Sequence, residues 1–279
     1  MEAIHLRVQT DLIWMTWIAF LIALPFYHFL RLRDPLIRWH EHGNVSTKPF
    51  GMLDVGLVLA FFLGMTAINK FAEAKSVGKD VELTLELLLT NGLLNVAILC
   101  FFVMMFVWRK ENVIEMFGLG RLNARGIAIW GGVVSVLAIP LVMIVGWVSN
   151  GMLAPKLGEL PPQPVVEAFV ESPNLVFRLV MLVMVVVVAP VFEEVLYRGY
   201  LYGVSKRFTD RFFAVVFSSS AFALVHSGMI TVIPIFTLAV FLALAYELSG
   251  CLLVPIVIHM LFNLANVIGM LWFPEVVGS

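Results

Sequence analysis

The chain has 279 residues, 61% of them hydrophobic and 13% charged, with a net charge of -1 and a mean hydropathy of +0.98. A soluble domain carries about 25% charged residues, so this composition excludes an ordinary water-soluble globule and points to a polytopic protein surrounded by membrane lipid. The near-zero charge argues against a nucleic-acid partner, and Cys100 and Cys251 make no spaced metal or disulfide pattern.

A spanning helix needs about 20 apolar residues, and about eight such runs lie between charged punctuation. Leu12 to Leu30 is longer than a signal-peptide core and lacks a small-x-small cleavage site, so it is read as a retained helix. Gly51 to Ile68, Leu85 to Val107 and Ile127 to Val148 follow, separated by the polar stretches Arg31 to Lys48 and Lys70 to Glu82. Asn150 to Pro173, with Pro161, Pro162 and Pro164 inside it, reads as a loop or surface-lying segment with a short helix at Val165 to Val170. The fifth helix runs from Asn174 towards Ser205, longer than the hydrocarbon core is thick, and Pro190 predicts a kink in it. Phe212 to His226, Thr231 to Glu247 and Leu252 to Phe273 complete the set. The sixth of these is short, and a helix of that length can end inside the protein beside a cavity. The expected fold is therefore all-α, with residues 1–173 forming four helices and a loop and 174–279 forming a core that holds an intramembrane polar cavity. Twelve Lys and Arg, with Arg198 and Lys206 counted among them, fall in the inside loops of an outside-N-terminus topology, against five outside. Glu247 is expected at the cytoplasmic boundary.

Polar residues stand out inside three of these runs. In the fifth, Glu193 and Glu194 are followed by Arg198. A carboxylate at bilayer depth costs about 2.5–3.5 kcal/mol, so such groups are functional candidates by default. In a helix Glu194 and Arg198 are four apart on one face, in the better order for an ion pair. Glu193 is turned away by about 100° and left available for proton transfer. Phe222 and His226 share a helical face, as do His259 and Asn263, and Asn266 extends the latter stripe. Each has a plain alternative. The three charges could serve only to hold helices together, a lone membrane histidine or asparagine is commonly a packing residue, and Phe222 by itself reads as core. Ser218, Ser219 and Ser220 can bond to their own helix carbonyls. Ser227 and Gly228 read as a helix end. Counted from the cytoplasmic flanks, Glu193, His226 and His259 lie at depths of about 20, 22 and 13 Å, close enough for one wet pocket.

A glutamate with two histidines suggests hydrolysis, in either of two versions. Glu193 and His226 activate water while His259 and Asn263 donate to the developing oxyanion. Alternatively Glu193, His226 and His259 bind zinc, which lowers the pKa of a bound water. The compact His-Glu-x-x-His helix is absent, so no cofactor is required by the sequence. There is no serine elbow to supply a nucleophile.

These positions resemble the motifs of the CPBP family of intramembrane proteases, the CAAX protease and bacteriocin-processing family that includes Rce1-type prenyl endopeptidases and the Abi proteins. Glu193-Glu194-x-x-x-Arg198, Phe222-x-x-x-His226 and His259-x-x-x-Asn263 match its three motifs in order and spacing, across about Val187 to Asn266. The resemblance implies that Glu193 and His226 activate water, that His259 and Asn263 stabilise the oxyanion, and that Glu194 and Arg198 support them. It also implies a peptide or protein substrate, prenylated for some members. The competing readings are a non-catalytic immunity or scaffold protein, and a transporter with a proton-relay Glu and His, for which inverted repeats would be expected.

Overall fold

The computed structural model describes residues 2–34, 43–76, 83–157, 168–169, 172–226 and 229–272, which are helical apart from short connections, with no strand among them. In chain order the helices are α1 (Glu2–Arg33), α2 (Met52–Ser76), α3 (Leu85–Trp108), the single turn α4 (Val113–Met116), α5 (Ala124–Leu157), α6 (Leu175–Phe208), α7 (Arg211–Leu224), α8 (Met229–Ser249) and α9 (Leu253–Trp272). Five of them are long and apolar enough to cross a membrane, within α1, α3, α5, α6 and α8, and α2, α7 and α9 contain shorter apolar helices. Their outward faces are lined with exposed Leu, Ile, Val and Phe, the surface that a protein embedded in lipid presents.

The helices overrun the apolar stretches that predict them. α1 includes Arg31 and Arg33, α2 continues to Ser76, and α5 runs past Val148 and through Pro155, so residues 150–157 are helix and not the start of a loop. Polar residues near a membrane surface keep helical backbone because the hydrogen-bond ladder is satisfied within the chain whatever the side chain. The proposed short helix at 165–170 lies outside the described residues except for 168–169, which are helical. Ser227 and Gly228 lie outside them too; α7 has already ended at Leu224.

α6 is the axis of the molecule. Asn174 caps it, its side chain accepting from the backbone N–H groups of Val176 and Phe177. Two π-helical stretches, Met184–Val188 and Val195–Tyr202, flank the α-helical Ala189–Glu194. The disturbance expected at Pro190 is thus a π turn immediately before it. α9, α3 and α7 pack along α6, while α8 packs against α5, α7 and α9. The main core gathers on the second half of α6, where Leu196, Tyr197, Tyr200, Leu201, Tyr202 and Val204 are all buried. Gly203 admits the ring of Phe50 so closely that a Cβ there would collide with it.

Two ion networks bolt this half of α6 in place. The buried Asp54 takes Arg109 at 2.6 Å and the Tyr200 hydroxyl at 3.0 Å, and its hydrogen bond holds the Arg109 guanidinium further up its usual range. Glu247 takes Lys206 at 2.8 and 2.9 Å and the Tyr202 hydroxyl at 2.6 Å, while Lys206 also donates to the Val45 carbonyl. Glu247, two residues from the end of α8, is 4% exposed, so the acid expected at the cytoplasmic boundary is buried and paired within the protein. Arg198 and Lys206 are themselves fully buried in α6, so neither belongs to a loop or to the loop-charge bias.

Candidate active site

The motif residues stand on α6, α7 and α9. Glu194 and Arg198 form the predicted i,i+4 pair at 2.8 Å, both fully buried, and Arg198 donates a further bond to the Ala239 carbonyl on α8. A bare ion pair in hydrocarbon is costly, and extra hydrogen bonds are what make one tolerable. Phe222 on α7 supplies another contact, its ring lying 4.4 Å from the Arg198 guanidinium carbon in a cation–π arrangement.

His259 joins the two acids. Its Nδ1 lies 2.9 Å from Glu194 Oε1, and its Nε2 lies 3.7 Å from Glu193 Oε2. A carboxylate accepts, so Nδ1 carries the proton in the first contact. The second is too long for a direct hydrogen bond. The Glu193 side chain is 24% exposed and that of Glu194 is sealed, which separates the two acids as their helical positions suggest. Glu194 Oε2 is nevertheless buried without a partner among the described residues.

His226 lies two residues beyond the end of α7, half-buried. Its Nδ1 is 2.7 Å from the Phe222 carbonyl, which can only accept, so a neutral ring carries its proton there and leaves Nε2 with a free lone pair. The Phe222 ring touches both imidazoles, with centroids 4.6 Å from His226 and 5.7 Å from His259. It also packs edge-on against Tyr197. Phe222 is more than core: it is the plate on which Arg198 and both histidines rest.

Asn263, one turn beyond His259, donates from Nδ2 to the Val185 carbonyl at 2.8 Å. The first π turn explains why that carbonyl is free. The N–H of Ala189 bonds to Met184, five residues back, and the next donor in that register would be residue 190, a proline without an N–H. Asn263 fills the place and keeps its second N–H for other use. Asn266 is half-buried and has no hydrogen-bond partner among the described residues. Ser218 bonds back to the Val215 carbonyl as its position suggests.

The sequence pattern does not reveal the tie between His259 and Glu194 or the Val185 acceptor. The only available signal for the latter was Pro190, whose missing N–H strands a carbonyl somewhere on the preceding turn. Among the described residues, no three His, Cys, Asp or Glu side chains are grouped as ligands for a metal ion. Two cavities, about 400 Å³ between α2 and α3 and about 200 Å³ between α1 and α2, are apolar and lined by none of the motif residues.

Residues 175–265 match the family described as type II CAAX prenyl endopeptidase Rce1-like. That stretch covers α6 to most of α9 and includes every motif residue. No curated protein and no solved structure matches the chain.

Proposed function

From the Rce1-like character of residues 175–265, we propose that this integral membrane protein is an intramembrane endopeptidase of the CAAX type, hydrolysing a peptide bond with a water activated by Glu193 and His226. The observation that carries the reading is His259 set between two carboxylates of opposite character, one sealed on Arg198 and one partly open. A cluster built only to hold helices together has no need of the open one.

In this reading Glu193 takes a proton from water as its oxygen attacks the scissile carbonyl, while the unprotonated Nε2 of His226 accepts a hydrogen bond from the same water and orients it. The new C–O bond puts negative charge on the carbonyl oxygen. His259, as an imidazolium, donates from Nδ1 to Glu194 and from Nε2 to that oxygen, and the remaining N–H of Asn263 donates beside it. Collapse breaks the C–N bond and returns the proton to the leaving amine. Glu194 and Arg198 keep His259 in one orientation, and Phe222 keeps both rings in register. The substrate is a peptide or protein whose cleavage site enters the membrane, with a prenylated cysteine as the first candidate determinant. No step is assigned to a metal.

The test is cleavage of prenylated and unprenylated reporter peptides by the purified protein, beside Glu193→Ala and His226→Ala, each with and without a chelator. Prenyl-dependent cleavage lost in both variants and indifferent to chelator is the expected result. Wild-type cleavage by Glu193→Ala would sink the mechanism, and chelator-sensitive activity restored by zinc would replace it with the metal version.

A further inference from the structure

α1 lies outside the matched stretch, yet it reaches the site. It runs antiparallel to α7 in a continuous register. Tyr27 bonds to Asp210 at the start of α7, Phe20 stacks on Phe213 and Phe217, Trp17 meets Phe217 edge-on, and at the far end Gln9 meets the last turn. There the Gln9 Nε2 donates to two backbone carbonyls, those of Leu224 and His226, each at 2.8 Å.

A helix end inside a membrane protein leaves carbonyls with no partner, and lipid offers none. The end of α7 is satisfied in a particular way. The Phe222 carbonyl accepts from the His226 ring, that of Ala223 from the His226 N–H at 3.3 Å, and those of Leu224 and His226 from Gln9. The ring bond fixes the imidazole relative to the helix, and Gln9 fixes the peptide on which that imidazole stands. His226 is beyond the end of α7, where among the described residues its own N–H makes one 3.3 Å bond back to the Ala223 carbonyl, and Gln9 adds the bond to its C=O.

We infer that Gln9 is a positioning residue for His226, holding from α1 the backbone that carries its imidazole. This rests on the reading of His226 as a water-activating group. Misplacing such a group by about 1 Å costs about 100-fold in rate, because reaction requires a near-attack geometry.

Gln9→Met keeps the length of the side chain and removes both donors, while Gln9→Lys restores N–H groups at a helix C-terminus, where a cation is welcome. In the full-length protein, Gln9→Met is expected to lower kcat about 10- to 100-fold with KM within about twofold, and to lower the melting temperature by no more than several degrees. Gln9→Lys is expected to recover most of that loss. Gln9→Asn, a donor one methylene shorter that cannot span both carbonyls, gives the same kcat loss and serves if the Met variant does not fold. The inference is overturned if Gln9→Met, or Gln9→Asn in its place, keeps wild-type kcat, or if its loss lies in KM or in melting temperature alone. His226→Ala is run beside them: wild-type activity in that variant defeats the role of His226 itself, whereas an inactive His226→Ala with a fully active Gln9→Met defeats only the role of Gln9.

Discussion

Two glutamates, Glu194 and Glu247, are each buried in the membrane protein beside a buried cation, and their surroundings differ in one respect. Glu247 is closed: Oε1 takes Lys206, Oε2 takes both Lys206 and Tyr202, and Lys206 finds a further acceptor at Val45. Glu194, itself sealed, belongs to an open network: one oxygen serves both Arg198 and His259, the other has no partner among the described residues, and His259 turns its second nitrogen to Glu193, which reaches an accessible surface. Buried charge is tolerated where every polar atom is matched, and an unmatched one is costly. The closed network therefore reads as architecture. The open one keeps unspent hydrogen-bonding capacity at a place where chemistry can use it.

The largest effect expected from this contrast is in the open cluster. Glu193→Gln keeps shape and loses the base, so kcat for reporter peptide should fall about 10²- to 10⁴-fold with an unchanged melting temperature. Substitution in the closed cluster should do the reverse. Lys206→Met leaves Glu247 buried without its cation, and unfolding in detergent should register a loss of about 3–5 kcal/mol while the folded fraction cleaves normally. Should Lys206→Met instead lower kcat in folded protein, the division between the two clusters breaks. Asn263→Ala belongs on the open side, and removing one oxyanion donor is expected to cost about 10²- to 10³-fold in kcat with little change in KM. The smallest effect is Tyr202→Phe, which removes one donor of the closed network and should cost about 2 kcal/mol of stability and no activity.

Much of this was legible from residue order. The eight apolar runs are all helices, because a chain in lipid must satisfy its backbone internally. Their ends were not legible, since hydropathy stops where the membrane stops and the backbone ladder does not. The pairing of Glu194 with Arg198 followed from the 3.6-residue period alone. Lys206 was misplaced in a loop, and the burial of Glu247 was not foreseen, because an isolated acid or base near a span's end looks exposed until its partner, 41 residues away, is known. Gln9 was passed over for a similar reason: it precedes the first apolar run, and nothing local says that its amide faces the end of a helix some 215 residues on.

By itself, then, the sequence determined the helices, the membrane setting, and which polar side chains stand inside the apolar runs. These depend on composition and on spacing within one helix, where covalent geometry sets the neighbours. Only the tertiary structure decided that His259 bridges the two acids, that Phe222 carries Arg198 and both histidines, that Asn263 completes the π turn before Pro190, and that α1 holds the His226 peptide. Each of those is a contact between helices, and its partners are chosen by which faces pack together and by which buried polar atoms must find one another there.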